Sequence, residues 1–146
     1  MEIILAESHG FCYGVKRAVE MANEAADSDG KSYTLGPIIH NPQVVGRLES
    51  KGVSPIQEVS DIDEGTMIIR SHGVGPAIYE EAEEKGLNIL DATCPHVKKA
   101  QQDAKSVIED GMTLVILGEK NHPEVKSINL WANNKGIIIE DEESAK

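Results

Sequence analysis

The stretch Asp91-Ala92-Thr93-Cys94-Pro95-His96-Val97 decides how this chain is read. A mostly apolar run, Leu87 to Leu90, leads into it, and Pro95 closes it where an amphipathic pattern begins. That order predicts a strand, a cysteine and then a helix. Proline suits the first helical position because its missing N–H would have no intrahelical partner there. Cys94 then stands at a helix N-terminus, where partial positive charge favours the thiolate, the form that binds metals. Taken alone, a cysteine at such a junction is a small apolar residue that fills it. The rest of the chain determines whether it is more.

Outward from that stretch the same design recurs. Upstream, Thr66 to Arg70 reads as a strand, followed by Ser71-His72-Gly73-Val74-Gly75-Pro76 and an acidic-faced helix from about Ala77 to Lys85 that Gly86 ends. The Glu80, Glu81, Glu83 and Glu84 cluster on that helix is a solvated face. Downstream, Val97, Ala100, Ala104, Val107 and Ile108 form the inward face of a helix. Asp110-Gly111 ends it, Thr113 to Leu117 is an apolar strand, and Asn121-His122-Pro123-Glu124-Val125 opens another helix. Gly136 to Glu140 reads as a last strand, with Asp141 to Lys146 a frayed end.

Nearer the start, residues 2–6 read as a short buried strand and Gly10-Phe11-Cys12-Tyr13-Gly14 as a glycine-bracketed loop. A helix follows, with Val15, Ala18, Val19, Ala22 and Ala26 on one face. Lys16 and Arg17, one turn from Cys12, add positive charge that favours a thiolate, although such a pair is equally a solvated face. Residues 27–31 make a turn and Ser32 to Leu35 a strand. His40 then precedes Asn41-Pro42, an N-cap and first helical residue, with Val44, Val45 and Leu48 at helical spacing and Gly52 as terminator. A short strand at Val53 gives way to loop up to Glu64.

An apolar strand, a short turn, one His or Cys, and a helix often opened by proline therefore recur at Cys12, His40, His72, Cys94 and His122. Strands and helices alternating at this length predict an α/β fold with mainly parallel small sheets. In open parallel sheets ligands bind beyond the carboxyl ends of the strands, so all five residues are expected along one edge.

Composition narrows the function classes. The chain has 146 residues, 40% of them apolar, 27% charged and only 3% aromatic, which predicts a globular core of aliphatic side chains. No apolar run approaches the roughly 20 residues of a membrane helix, and the N-terminus has neither the basic start nor the cleavage site of a signal peptide, so a cytoplasmic protein is expected. A net charge of −11 argues against nucleic-acid binding, which depends on Lys and Arg neutralising phosphates. It also requires any site for an anionic substrate to supply its own local donors. The two cysteines are 82 positions apart, a weak basis for a disulfide in a reducing compartment.

Three histidines at equivalent strand ends beside helix N-termini provide such donors, since free backbone N–H groups and imidazoles both suit a phosphate or diphosphate. Glu124, two residues past His122, is the nearby carboxylate placed as a proton donor, though a glutamate in a first helical turn also simply complements the helix dipole. His96 reads as a helix-surface residue, and His9 has no assigned role. Two thiolates with nearby histidines suit zinc, although the close Cys pair of structural zinc sites is absent. Widely spaced cysteines on separate strand-to-helix junctions also suit an iron–sulfur cluster, which needs more sulfur ligands than this chain has.

Gly10-Phe11-Cys12-Tyr13-Gly14-Val15, His40-Asn41, Ser71-His72-Gly73-Val74, Asp91-Ala92-Thr93-Cys94-Pro95 and His122-Pro123-Glu124-Val125 together resemble the 4-hydroxy-3-methylbut-2-enyl diphosphate reductase family, over residues 10 to 125. The resemblance implies an oxidoreductase of the last step of the non-mevalonate isoprenoid pathway, built as three α/β lobes around a 4Fe-4S cluster with one open iron. It implies Cys12 and Cys94 as two of three cysteine ligands, His40, His72 and His122 as diphosphate holders, and Glu124 as the acid that delivers a proton. Two electrons from an external donor such as ferredoxin or flavodoxin would remove the substrate hydroxyl as water, giving isopentenyl and dimethylallyl diphosphate.

The family's chains are about twice as long, so the resemblance places this sequence as an N-terminal half. Residues 1–92 would form a first lobe and 93–146 a second, incomplete one, with the third lobe and third cysteine absent. Ser127 stands where the family usually has glycine. The alternative expectation is a non-enzymatic α/β module that binds diphosphate or zinc.

Overall fold

Strands and helices alternate along the computed structural model, which describes residues 2–28 and 30–145. Asp29, within the turn expected over 27–31, and Lys146, within the end expected to fray, lie outside the described residues. The helices are α1 (Tyr13–Ala26), α2 (Pro42–Ser50), α3 (Pro76–Glu84), α4 (Pro95–Glu109) and α5 (Pro123–Trp131). The strands are β1 (Ser32–Leu35), β2 (Val53–Ile56), β3 (Thr66–Ile69), β4 (Asn88–Asp91), β5 (Val115–Leu117) and β6 (Ile137–Ile139), with a 3-10 turn at Val59–Asp61.

Four strands form one sheet in the order β2-β1-β3-β4, every neighbouring pair parallel. Pro55 lies in β2, an edge strand, where a residue without an N–H is tolerated. The alternation of β3 divides the core between the two faces of the sheet. Ile68 packs with Ala18, Ala22, Ile38, Leu48 and Val53 on the side of α1 and α2. Met67 and Ile69 pack with Leu35, Val59, Ile62, Ala82 and Leu87 on the side of α3. The expected α/β fold with parallel sheets is thus realised with helices on both faces.

β5 and β6 form a separate two-stranded parallel sheet. Val115 and Leu117 are 52% and 79% exposed, so this sheet keeps an open apolar face. α4 packs against α5 beside it.

Among the described residues prolines open four of the five α-helices, at positions 42, 76, 95 and 123. Asn41 caps α2, its Oδ1 accepting from the Val44 N–H at 3.1 Å. Gly52, at φ +93°, follows the end of α2 in the left-handed conformation that only glycine adopts readily.

The structure departs from the sequence expectations in several places. Residues 2–6 form no strand, and Ile3, Ile4 and Leu5 are 74%, 83% and 76% exposed. A strand needs a neighbour for its backbone groups, and none of the described strands pairs with this segment. The glycine-bracketed loop is shorter than expected, since α1 already begins at Tyr13 and takes in Gly14. The strand expected over Thr113 to Leu117 starts at Val115. Residues 141–145 are not frayed. Asp141 Oδ1 accepts from the Ser144 N–H at 2.8 Å, and Ser144 Oγ accepts from the Glu140 and Asp141 N–H groups at 3.0 Å each.

Candidate functional site

Because β1, β3 and β4 run parallel, their carboxyl ends share one edge, and the turns leaving them carry His40, His72 and Cys94. His122, after β5, is the N-cap of α5. The three histidines come together there. Ring centroids are 4.6 Å apart for His40 and His72, 5.7 Å for His72 and His122, and 6.2 Å for His40 and His122. One nitrogen from each lies within 4.8 Å of the other two.

Ser71 holds these turns in place. Its N–H donates to the Ile38 carbonyl at 3.5 Å, and its own carbonyl accepts from the Cys94 N–H at 2.9 Å. The turn after β3 is therefore stitched to the turns after β1 and β4. His72 is half-buried, and its Nδ1 is buried without a hydrogen-bond partner among the described residues. Burial above all, with the His40, Arg70 and His122 charges adding to it, lowers the pKa of His72 to about 4, so its ring is neutral near pH 7. The His122 Nδ1 accepts from the Glu124 N–H at 3.3 Å, which leaves Nε2 of a neutral His122 ring carrying the proton. Glu124 is half-buried in the first turn of α5.

The two cysteines are free thiols, Cys12 exposed and Cys94 half-buried. Each is an N-cap, of α1 and α4 respectively, and neither uses its side chain in a capping hydrogen bond. The Cys94 sulfur lies over Gly14, in α1's first turn, where a β-carbon would come within 2.5 Å of it. A cavity of about 210 Å³ is lined by Phe11 and Val15, close in sequence to Cys12, and by Ile39, His40, Asn41, Ser71 and His72.

Lys16 and Arg17, read either as charges favouring a Cys12 thiolate or as a solvated face, have different surroundings. Lys16 pairs with Glu20 at 3.8 Å on the surface. Arg17 reaches across to the turn before Cys94, donating to the Thr93 carbonyl at 3.2 Å and the Asp91 carbonyl at 3.3 Å.

Two side chains that hold these turns escaped the sequence reading: Arg17 in this capacity and Asp91. The half-buried Asp91 carboxylate accepts from the Thr93 N–H at 3.0 Å, the Tyr79 hydroxyl at 3.1 Å and Lys98. Burial pushes its carboxyl up, but the Lys98 and Thr93 hydrogen bonds outweigh that and hold it below its ordinary range. Burial, then the Asp91 charge, pushes the Tyr79 phenol up to about 12. An aspartate two residues before a backbone N–H it can accept from was the available signal for Asp91. His96 is exposed on α4, and the His9 ring lies 2.9 Å from the Ala6 carbonyl.

Residues 3–146 match the family described as LytB protein. The chain is 52% identical over 147 residues to a 4-hydroxy-3-methylbut-2-enyl diphosphate reductase of Geotalea uraniireducens (strain Rf4), covering 100% of this chain and 52% of that one. Its fold is similar to the solved structure of (E)-4-hydroxy-3-methyl-but-2-enyl diphosphate reductase, the terminal enzyme of the non-mevalonate pathway. That likeness has a TM-score of 0.83 at 49% identity and covers 97% of this chain and 52% of that one. It is also similar to the E-1-hydroxy-2-methyl-but-2-enyl-4-diphosphate reductase from Plasmodium falciparum, with a TM-score of 0.90 at 32% identity over 94% of this chain and 44% of that one. The chain spans about half the length of the curated relatives it matches. Among the described residues, no helix is long and apolar enough to cross a membrane.

Proposed function

The chain belongs to the LytB protein family, and on that premise we propose that it is part of a 4-hydroxy-3-methylbut-2-enyl diphosphate reductase. In this reading residues 1–92 and 93–146 are two lobes of a three-lobed, cytoplasmic enzyme. It would reduce its allylic diphosphate to isopentenyl and dimethylallyl diphosphate with electrons from an external carrier of the ferredoxin or flavodoxin type.

The observation that carries this reading is the convergence of His40, His72 and His122, one nitrogen of each within 4.8 Å of the others, beside the N-terminus of α5. Imidazole N–H groups and the positive end of a helix are donors an anion needs, and a chain of net charge −11 must gather them locally. His122 offers its Nε2–H because its Nδ1 is engaged by the Glu124 backbone. The neutral His72 ring has a buried Nδ1 without a partner among the described residues, and a bound anion would offset the burial and neighbouring positive charges that keep the ring neutral.

Cys12 and Cys94 would hold a 4Fe-4S cluster together with a thiolate from outside this chain. The residues fit that role, since both thiols are spared from capping and Gly14 leaves the space the Cys94 sulfur occupies. When bound, the cluster supplies electrons and a Lewis-acidic iron. The chain's own part is to anchor the diphosphate through the histidines, turn the allylic end toward the cysteines and deliver a proton from the Glu124 carboxyl.

Calorimetric titration with inorganic pyrophosphate tests the anion site. One binding event is expected, weakened roughly tenfold or more in each of His40→Gln, His72→Gln and His122→Gln, as for loss of a charge-assisted hydrogen bond. Equal affinity in all three variants overturns it.

The spacing of the three imidazoles also fits a divalent cation, and this favours as second reading a non-enzymatic zinc-binding or diphosphate-binding module. Stoichiometric zinc retained after Cys12→Ser and Cys94→Ser, with no turnover in a protein of its relatives' full length, would establish it over the first.

A further inference from the structure

His72 lies in the turn after β3 of the four-stranded sheet and His122 caps α5, which follows β5 of the two-stranded sheet, so something must set the distance between them. The segment 73–75 rests on one face of α5 at three consecutive positions. A β-carbon on Gly73 would run into Gln101 Nε2, and would lie 2.9 Å from Thr93 Cγ2 and 3.1 Å from Ser127 Oγ. The Val74 carbonyl accepts from Trp131 Nε1–H at 2.9 Å. A β-carbon on Gly75 would lie 2.8 Å from Leu130. Gly73 has φ +70°, a conformation that, like the close approach, calls for glycine.

At the end of this seat nearest His72, the contact is polar. Gln101 Nε2 of α4 donates to Ser127 Oγ of α5 at 2.6 Å, and the two residues are 1% and 2% exposed. Gln101 lies two turns into the helix that Cys94 caps, and Ser127 in the second turn of the helix that His122 caps. The pair therefore joins α4, α5 and the His72–Gly73 turn at one point. Apolar side chains in contact can slide past one another with little loss, whereas a buried hydrogen bond is held to a narrow range of length and angle. Breaking it would leave a buried donor unsatisfied.

We propose that the Gln101–Ser127 hydrogen bond is a positioning latch that sets the separation of His72 from His122 to one at which both reach the same diphosphate. The second half of that statement rests on the diphosphate reading above. Ser127 is in this view the residue that supplies the latch.

The test replaces the polar pair by an apolar one of similar volume, Gln101→Leu with Ser127→Ala, in the chain as it stands. Ring-to-ring nuclear Overhauser effects and imidazole chemical shifts of His72 and His122 are recorded without ligand, followed by pyrophosphate titration and thermal melting. The expected result is a melting temperature close to the parent's, an altered His72–His122 signature, and a pyrophosphate affinity lower by roughly tenfold, the factor of one net hydrogen bond. Where the double variant fails to fold, Ser127→Gly, which adds no bulk, takes its place.

An unchanged His72–His122 signature overturns the latch whatever happens to affinity, because the pair then acts as packing alone. A changed signature in a chain whose parent form shows no histidine-dependent pyrophosphate binding upholds the latch and overturns the diphosphate reading instead.

Discussion

Gly14 and Cys94, 80 positions apart, touch so closely that a β-carbon on residue 14 would fall 2.5 Å from the Cys94 sulfur and 3.0 Å from its β-carbon. The Cys94 backbone cannot easily retreat, since its N–H is bound to the Ser71 carbonyl at 2.9 Å. Gly14→Ala must therefore rotate the thiol or push α1 away. Overpacking costs about 1–3 kcal/mol, partly offset by the better helix propensity of alanine. A lower urea midpoint and a faster reaction of Cys94 with an alkylating reagent are expected, with exposed Cys12 reacting as before. Unchanged Cys94 reactivity would mean that the contact does not hold the thiol.

Arg17 ties the same two segments from the other side, through the Thr93 and Asp91 carbonyls. Arg17→Met removes both hydrogen bonds and should cost about 1–2 kcal/mol, measured by urea unfolding, because each bond is only partly shielded from water. Arg17→Lys keeps the charge but not the fork that spans two carbonyls, so it should recover only part of the loss. Full recovery with lysine would reduce Arg17 to a general cationic contact.

Much of the architecture was legible in the sequence because it is local. Alternating apolar runs, prolines at first helical positions and terminating glycines located α1 to α4, the start of α5 and strands β1, β3 and β4 within one or two residues, whereas β2, expected only at Val53, runs on to Ile56. His40, His72 and Cys94 followed from the same pattern, since the ends of parallel strands share an edge, whereas no strand precedes Cys12 among the described residues and His122 follows a strand of the second sheet. What escaped depends on which strands become neighbours. The order β2-β1-β3-β4 brings Gly14 under Cys94 and Arg17 to the Asp91 carbonyl, and nothing within a local window of sequence encodes that order. Gln101 reads as a surface residue by its chemistry and is 1% exposed, because Ser127 and Gly73 meet it from other elements. The opposite error arose at residues 2–6, where an apolar run predicts a buried strand but finds no partner strand among the described residues.

His72 makes stability depend on pH. Its folded-state pKa of about 4 lies below the roughly 6.5 of an unfolded histidine. Between these values the unfolded chain takes up a proton that the folded chain does not, so stability falls as pH drops from about 6.5 to about 4 and is level in this respect outside that window. His72→Gln should remove this component, seen as a smaller difference between urea midpoints at pH 7 and pH 5. Pyrophosphate, by favouring the charged ring, should also flatten it in the parent chain. An identical pH profile in His72→Gln would place the effect on other groups.

Glu124 separates binding from chemistry in the reductase reading. Its backbone N–H fixes the His122 tautomer, and replacing its carboxyl leaves that contact in place. In a protein of the relatives' full length, Glu124→Gln should therefore keep the substrate affinity supported by the histidines. The amide has no acidic proton to deliver, so turnover should drop by about 10²–10⁴-fold, the usual contribution of a positioned general acid. Steady-state kinetics with the allylic diphosphate divide the possibilities. A fall in kcat at constant KM assigns the proton to Glu124, whereas unchanged kcat leaves the residue as an N-terminal carboxylate that complements the α5 dipole. Glu124→Asp sharpens the distinction, because a shorter acid complements the dipole equally well but must reach farther to the substrate, so an intermediate kcat would follow only from proton delivery.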